Sequence, residues 1–171
     1  GKLTKSLLQG YTGDLTDRIG RKPYFVAVGA LLYGVGTAMI PLSYVAEGTV
    51  APVAVGFAGR PVELGGAFFA LFAAYGLLGV ADSLRLPASM ALFVEEGERF
   101  DSVASSLSLR SISWKVGQVT GPAVVGLIID LVSTTAAFLT AAGFIVVATA
   151  VFAVAHARST EGTTSVRTLV N

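Results

Sequence analysis

Long runs without a charged residue constrain this chain more than any other feature. Four such runs occupy residues 23–46, 64–81, 116–129 and 131–157. A bilayer core of about 30 Å is crossed by about 20 apolar residues in a helix. The third run is short, so its helix must extend into the serine-rich stretch before it. The sequence therefore predicts four transmembrane helices, near residues 23–45, 64–92, 104–131 and 134–157.

The overall composition fits a lipid environment. Only 13% of the residues are charged and the mean hydropathy is +0.72, whereas soluble domains carry about 25% charged residues. So few charges cannot cover the surface of a soluble domain of this size. We therefore expect an all-α membrane protein with the lipid bilayer as its main partner.

The segments between the runs carry turn signals. Residues 47–63 contain two prolines and several glycines, which indicate a loop with an apolar patch that grazes the membrane. Residues 95–101 are rich in charge and predict a short loop, with Asp101 or Ser102 capping the third helix. Residues 130–134 leave so few positions that the third and fourth helices must form a hairpin.

Basic residues are distributed unevenly over the two sides that four alternating spans define. One side would hold Lys2, Lys5, Arg18, Arg21, Lys22, Arg99, Arg110, Arg158 and Arg167. The other side would hold Arg60 alone. By the positive-inside rule the first side is cytoplasmic. We expect a multi-pass protein of the cell membrane, with residues 158–171 forming a cytoplasmic polar tail.

The sharpest motif lies just before the first span. Residues 13–22 read GDLTDRIGRK, which fits the pattern G-x-L-x-D-R-x-G-R-K. It resembles the cytoplasmic loop signature of the major facilitator superfamily. The resemblance implies a conformational switch built from Gly13, Asp17, Arg18, Gly20, Arg21 and Lys22. A basic stop signal followed by a turn is the alternative explanation.

The resemblance covers nearly the whole chain and implies its architecture. Residues 1–22 would form the end of a preceding helix and the signature loop, followed by four helices of a six-helix half-bundle. The other half of the same chain would then be a partner. In the first half of such proteins the fourth helix carries an arginine where Phe72 stands, so the second half is favoured. The implied function is secondary active transport of a small solute by alternating access, with proton coupling expected.

A second motif lies in the predicted third span. Gly117, Gly121, Pro122 and Gly126 are similar to a glycine-proline motif of antiporters in this superfamily, although Val125 departs from its pattern. Pro122 removes a backbone donor and can kink the helix. A kinked packing face without any antiport role explains the residues equally well.

Ionisable residues interrupt the predicted spans. Asp82 and Arg85 are three residues apart on one helix face, and Lys115 lies in the third span. Such groups are costly in a bilayer and usually face a partner or a wet cavity. Asp82 could bind a proton or a cationic substrate, and Tyr75 and Gln118 could line a central cavity. Alternatively, Arg85 and Lys115 reach the cytoplasmic membrane interface and Asp82 simply pairs with Arg85.

Several functional classes find no support in the sequence. No cysteine and a single histidine, His156, leave no catalytic set and no metal cluster, and no cofactor is expected. A net charge of +1 gives no reason to expect nucleic acid as a partner. Two alternatives to a transporter stay open, namely a non-transporting membrane scaffold or sensor and a small oligomeric four-helix membrane protein.

Overall fold

The computed structural model describes the backbone of residues 20–57 and 60–169, and the side chains of residues 20–56 and 61–158. Five helices and one β-hairpin follow one another along this part of the chain. They are α1 (Lys22–Met39), α2 (Leu42–Thr49), β1 (Val53–Phe57), β2 (Arg60–Leu64), α3 (Gly66–Arg99), α4 (Val103–Leu131) and α5 (Thr134–Leu169).

The long helices have the length and apolarity that a membrane span requires. Three qualify on their own, which are α3, α4 and the part of α5 up to Arg158. Helices α1 and α2 qualify only as one broken span, bent by 48°. The break lies at Ile40 and Pro41, and Pro41 lacks the backbone donor that would continue the ladder of α1. The described chain thus has three spans, or four when the bent pair is counted as one.

The prediction of a loop over residues 47–63 is wrong. Helix α2 continues to Thr49, and an antiparallel hairpin follows with Val55 opposite Val62. Valines at alternate positions favour a half-exposed strand, which explains the pairing. Pro52 directly precedes β1. Pro61 is accommodated within β2 because a two-stranded hairpin has only edge strands.

The charged loop predicted for residues 95–101 is also wrong over most of its length. Helix α3 continues through Arg99, since Glu and Arg are good helix formers and lie exposed on its last turn. The turn is confined to the next residues, where Asp101 has a φ of 50°. Ser102 occupies the N-cap position of α4, but its side chain makes no capping hydrogen bond.

A connection of two residues joins α4 to α5, as the predicted helical hairpin requires. Ser133 caps α5, because its hydroxyl oxygen accepts a hydrogen bond of 3.1 Å from the backbone N–H of Ala136. Helix α5 then continues to Leu169. It therefore includes most of the segment predicted to be a polar tail.

Helices α1 and α3 pack closely against each other at two glycines of α1. A Cβ atom placed on Gly29 would lie 2.8 Å from the Cβ of Arg85 and 2.9 Å from the carbonyl oxygen of Ala81. A Cβ on Gly36 would lie 2.9 Å from Leu78. These distances leave no room for a side chain, so the two glycines allow the helix backbones to approach closely. Helix α5 packs on α1 more loosely.

Candidate functional site

An ion pair in the middle of α3 forms the centre of the candidate site. The Nε of Arg85 donates a hydrogen bond of 3.0 Å to Oδ1 of Asp82, and a second guanidinium nitrogen lies 2.9 Å from the same oxygen. The two side chains are 27% and 24% exposed. One turn of helix separates them, so a single element fixes their geometry.

Helix α1 completes the environment of this pair. The guanidinium carbon of Arg85 lies 4.5 Å from the centre of the Tyr33 ring, which is a cation–π distance. No local signal indicates this contact, because Tyr33 lies in an uncharged run like any lipid-facing aromatic residue. The arginine is therefore held between a carboxylate on its own helix and an aromatic ring on the neighbouring helix.

Arg85 also lines an open groove between α1, α3 and α5. The groove has a volume of about 270 Å³, and its lining is apolar apart from Arg85 and Thr149. The Thr149 hydroxyl donates to the carbonyl oxygen of Ile145 at 2.7 Å and is thereby satisfied within its own helix. The groove thus presents a guanidinium group among apolar side chains.

A second ion pair joins the same two helices at one end of the bundle. Lys22, the first residue of α1, donates a hydrogen bond to the carboxylate of Glu95 near the end of α3. The preceding Gly20 has a φ of 67°, a left-handed conformation that glycine adopts without strain. Arg21 provides the N-cap position of α1. The other predicted switch residues, Gly13, Asp17 and Arg18, lie outside the described part of the chain.

The remaining predicted substrate residues lie apart from the ion pair. Lys115, Gln118 and Tyr75 are all exposed. At about 1.5 Å per residue, Arg85 lies roughly 21 Å from the end of α3 and Lys115 roughly 18 Å from the start of α4, so the two have similar depth. Within the described residues, however, Lys115 forms no ion pair.

The glycine-proline motif of α4 lies on an open surface. None of the residues of α4 is buried against the described chain. A Cβ atom placed on Gly117, Gly121 or Gly126 would meet no described atom within 4 Å beyond the helix's own backbone. Pro122 is accommodated inside the continuous helix. The motif therefore packs against nothing in the part of the chain that the structure describes.

Sequence reasoning also missed a carboxylate that caps α3. Gly65 holds the N-cap position and has no side chain to offer. Glu47 of α2 supplies the acceptor instead, because its Oε2 receives a hydrogen bond of 2.9 Å from the backbone N–H of Ala67. A carboxylate at a helix N-terminus is favoured by the helix dipole. The spacing of 20 residues gives no local motif that would have indicated it.

Comparison with known proteins agrees with this architecture. The family model of the Major Facilitator Superfamily matches residues 3–168. The chain belongs to the major facilitator superfamily. No curated protein and no solved structure matches the chain. Membership in this superfamily confirms the family that the loop signature indicated and the predicted all-α membrane fold. At the level of the family, it also confirms a multi-pass membrane protein of the transporter class.

The described residues of this superfamily member offer no site for a metal ion. No group of three or more His, Asp or Glu side chains converges within the searched part of the chain. In the described spans, α3 carries the Asp82–Arg85 pair near its middle, and α4 carries Arg110, Lys115 and Asp130.

Proposed function

We propose that the chain is part of a secondary active transporter that moves a small solute by alternating access and is driven by a proton gradient. The observation that carries this proposal is the Asp82–Arg85 pair within a membrane-spanning helix. Ionisable residues at that depth are costly, and they commonly mark the route of a solute or a proton. Asp82 is the proposed proton acceptor.

The charge balance of the pair explains how a proton could be coupled to movement. With Asp82 ionised, the pair is neutral and Arg85 is held between the carboxylate and the ring of Tyr33. Protonation of Asp82 removes the carboxylate charge and leaves Arg85 as an uncompensated cation. A solute anion, or water admitted by a conformational change, would then stabilise the guanidinium.

The close contacts between α1 and α3 support a rocking movement in which the two helices stay together. Transporters of this architecture change access by moving one helical half against the other. The close contacts at Gly29 and Gly36 and the Lys22–Glu95 pair tie α1 to α3 at several levels. We propose that these helices move as one body and that the signature loop, from Gly13 to Lys22, is the switch that locks one arrangement at the cytoplasmic face.

The exposed polar residues of α3 and α4 are proposed to face the other half of the transporter. Tyr75, Lys115 and Gln118 would contribute to a solute cavity near the bilayer midplane, where transporters of this kind bind their substrate. The open surface of α4 around Gly121 and Pro122 supports this placement. The loop signature and the end of α5 would lie in the cytoplasm, and the protein in the cell membrane.

The test uses the full-length protein in sealed vesicles that contain a pH-sensitive dye. A hydrophobic cation, a hexose, a monocarboxylate and a dipeptide are added one at a time, with and without an imposed pH gradient. We expect one of these solutes to produce proton movement that empty vesicles do not show. Insensitivity of solute movement to every ion gradient would contradict the proposal.

A scaffold or sensor would give a different result with the ion pair removed. If the protein keeps the fold without transporting, Asp82 and Arg85 can both be replaced by apolar residues of similar size without functional loss. The Asp82→Leu/Arg85→Met variant therefore separates the two functions. We expect it to abolish solute-dependent proton movement.

A further inference from the structure

Over residues 53–56 and 61–64, one face of the β-hairpin is apolar and largely exposed. Its register places Val53 opposite Leu64 and Val55 opposite Val62. Successive residues of a strand point to opposite faces, so these alternate residues and their partners share one side of the hairpin. Val53, Val55 and Val62, which we call the valine face, are 50%, 43% and 41% exposed.

The opposite face of the hairpin has a different character. Ala54 pairs with Glu63, and Gly56 pairs with Pro61. All four residues are exposed. This face combines small residues with a carboxylate, so it presents much less apolar surface than the valine face. The hairpin is therefore amphipathic, although it is only two strands wide.

The chain fixes the hairpin next to a lipid-facing surface. Strand β2 ends at Leu64, and the span α3 begins at Gly66. No charged residue follows until Asp82, so the apolar part of the span starts directly at the hairpin. The first turns of α3 expose three aromatic side chains, those of Phe68, Phe69 and Phe72. Aromatic residues at the end of a span are typical of the membrane interface.

The backbone of the hairpin limits how deep it can lie. A two-stranded hairpin leaves the outer N–H and C=O groups of both strands unpaired, and open sheet edges do not occur in the hydrocarbon region. The interfacial zone of a bilayer is roughly 5–7 Å thick on each side. Water and headgroups there can satisfy the strand edges while valine side chains reach the acyl chains.

We propose that the valine face binds the phospholipid interface at the end of the bundle opposite to the Lys22–Glu95 pair. The hairpin would thereby act as an interfacial anchor for the start of α3. Because Gly65 alone connects the hairpin to α3, the hairpin has little freedom to move away from the bilayer surface. The proposed contact between the valine face and lipid does not depend on the transport activity proposed above.

The test places a spin label at one position at a time in the full-length protein, in vesicles of phosphatidylcholine and phosphatidylglycerol. The described segment contains no cysteine, so Val55→Cys, Val62→Cys and the matched control Ala54→Cys each introduce one label there. Collision rates with oxygen, which enters lipid, and with a water-soluble nickel chelate are then measured. An unfolding temperature in detergent equal to that of the wild type shows that a variant is folded.

The proposal predicts a high oxygen rate and a low nickel rate at Val55 and Val62. The ratio of the two rates should exceed that at Ala54 at least about twofold, because adjacent strand residues face opposite sides. A nickel rate at Val55 as high as at Ala54 would place the valine face in water. Low rates for both reagents would mean that another part of the protein or a second copy covers it. Either result overturns the proposal.

Discussion

Helices α1 and α4 are both apolar, and both contain several glycines, yet they pack in opposite ways. On α1, Gly29 and Gly36 lie against backbone and side chains of α3 at distances that exclude a Cβ atom. On α4, Gly117 and Gly121 face open space in the described structure. The number of glycines in a membrane helix therefore does not indicate its packing. The difference divides the molecule into a tightly joined α1–α3 unit and an α4 whose surface is available to lipid or to the rest of the transporter.

Removing the cation of the ion pair should have the largest effect on the α1–α3 unit. The Arg85→Gln variant leaves the Asp82 carboxylate within a span without its partner and removes the contact with Tyr33. We expect a loss of about 3 kcal/mol of stability, the lower end for breaking a buried pair, because both side chains keep some exposure. Thermal unfolding of the full-length protein in detergent measures it.

The control for this variant is Arg158→Gln, which changes an exposed arginine on α5 and should leave the unfolding temperature unchanged. The double variant Asp82→Asn/Arg85→Gln should recover much of the loss, since no carboxylate charge is left unpaired. An Arg85→Gln protein as stable as the wild type would show that the contacts of Arg85 with Asp82 and Tyr33 do not stabilise the α1–α3 unit.

A methyl group on α1 should have the next largest effect. In Gly29→Ala the new Cβ would lie 2.8 Å from the Cβ of Arg85, so one helix must shift. Overpacking of this kind costs about 1–3 kcal/mol. The same change on α4, Gly121→Ala, meets no described atom and should cost nothing measurable. Equal unfolding temperatures for the two variants would remove the contrast between the helices.

A smaller loss of stability is expected at the junction between α2 and α3. Glu47→Ala deletes the acceptor that caps the N-terminus of α3, which should cost about 1 kcal/mol. The matched control is Glu63→Ala on the hairpin, an exposed carboxylate only two residues before the N-cap of α3. If both variants unfold at the same temperature, Glu47 does not stabilise the junction between α2 and α3.

The Lys22–Glu95 pair should contribute least to stability. Glu95 is 53% exposed, and an exposed pair is worth about 0.2–1 kcal/mol. We expect Lys22→Gln to lower the unfolding temperature only slightly, and the charge-swapped Lys22→Glu/Glu95→Lys to restore it. A large loss that the swap does not restore would assign Lys22 a role beyond this pair.

The spans and the loop signature could be read from the sequence, because uncharged runs and closely spaced basic and glycine residues are local features. The extension of α3 through Glu95 to Arg99 was missed, since charged residues at the end of a span are compatible with either a loop or an exposed helical turn. The hairpin could not be predicted from the prolines and glycines of residues 47–63, because these residue types are typical of loops. Its alternating valines were the signal that could have found it.

Contacts across helices were beyond local reasoning. The spacing of Asp82 and Arg85 predicted their pairing as one of two alternatives, but nothing in the sequence placed Tyr33 beside them. The partnership of Lys22 with Glu95 and the capping of α3 by Glu47 join residues far apart in the chain. The depth of Lys115 could be estimated from the sequence, whereas its position on an exposed surface depends on how α4 packs.

The most direct test of the account concerns Asp82 as the proton acceptor. The full-length Asp82→Asn protein is compared with the Asp130→Asn protein, whose changed carboxylate is exposed near the end of α4. Solute accumulation driven by a pH gradient is measured in vesicles with the solute that moves protons in the wild type. If Asp82 is the proton acceptor, Asp82→Asn loses gradient-driven accumulation while Asp130→Asn keeps it. Undiminished accumulation by a folded Asp82→Asn protein would contradict this role of Asp82.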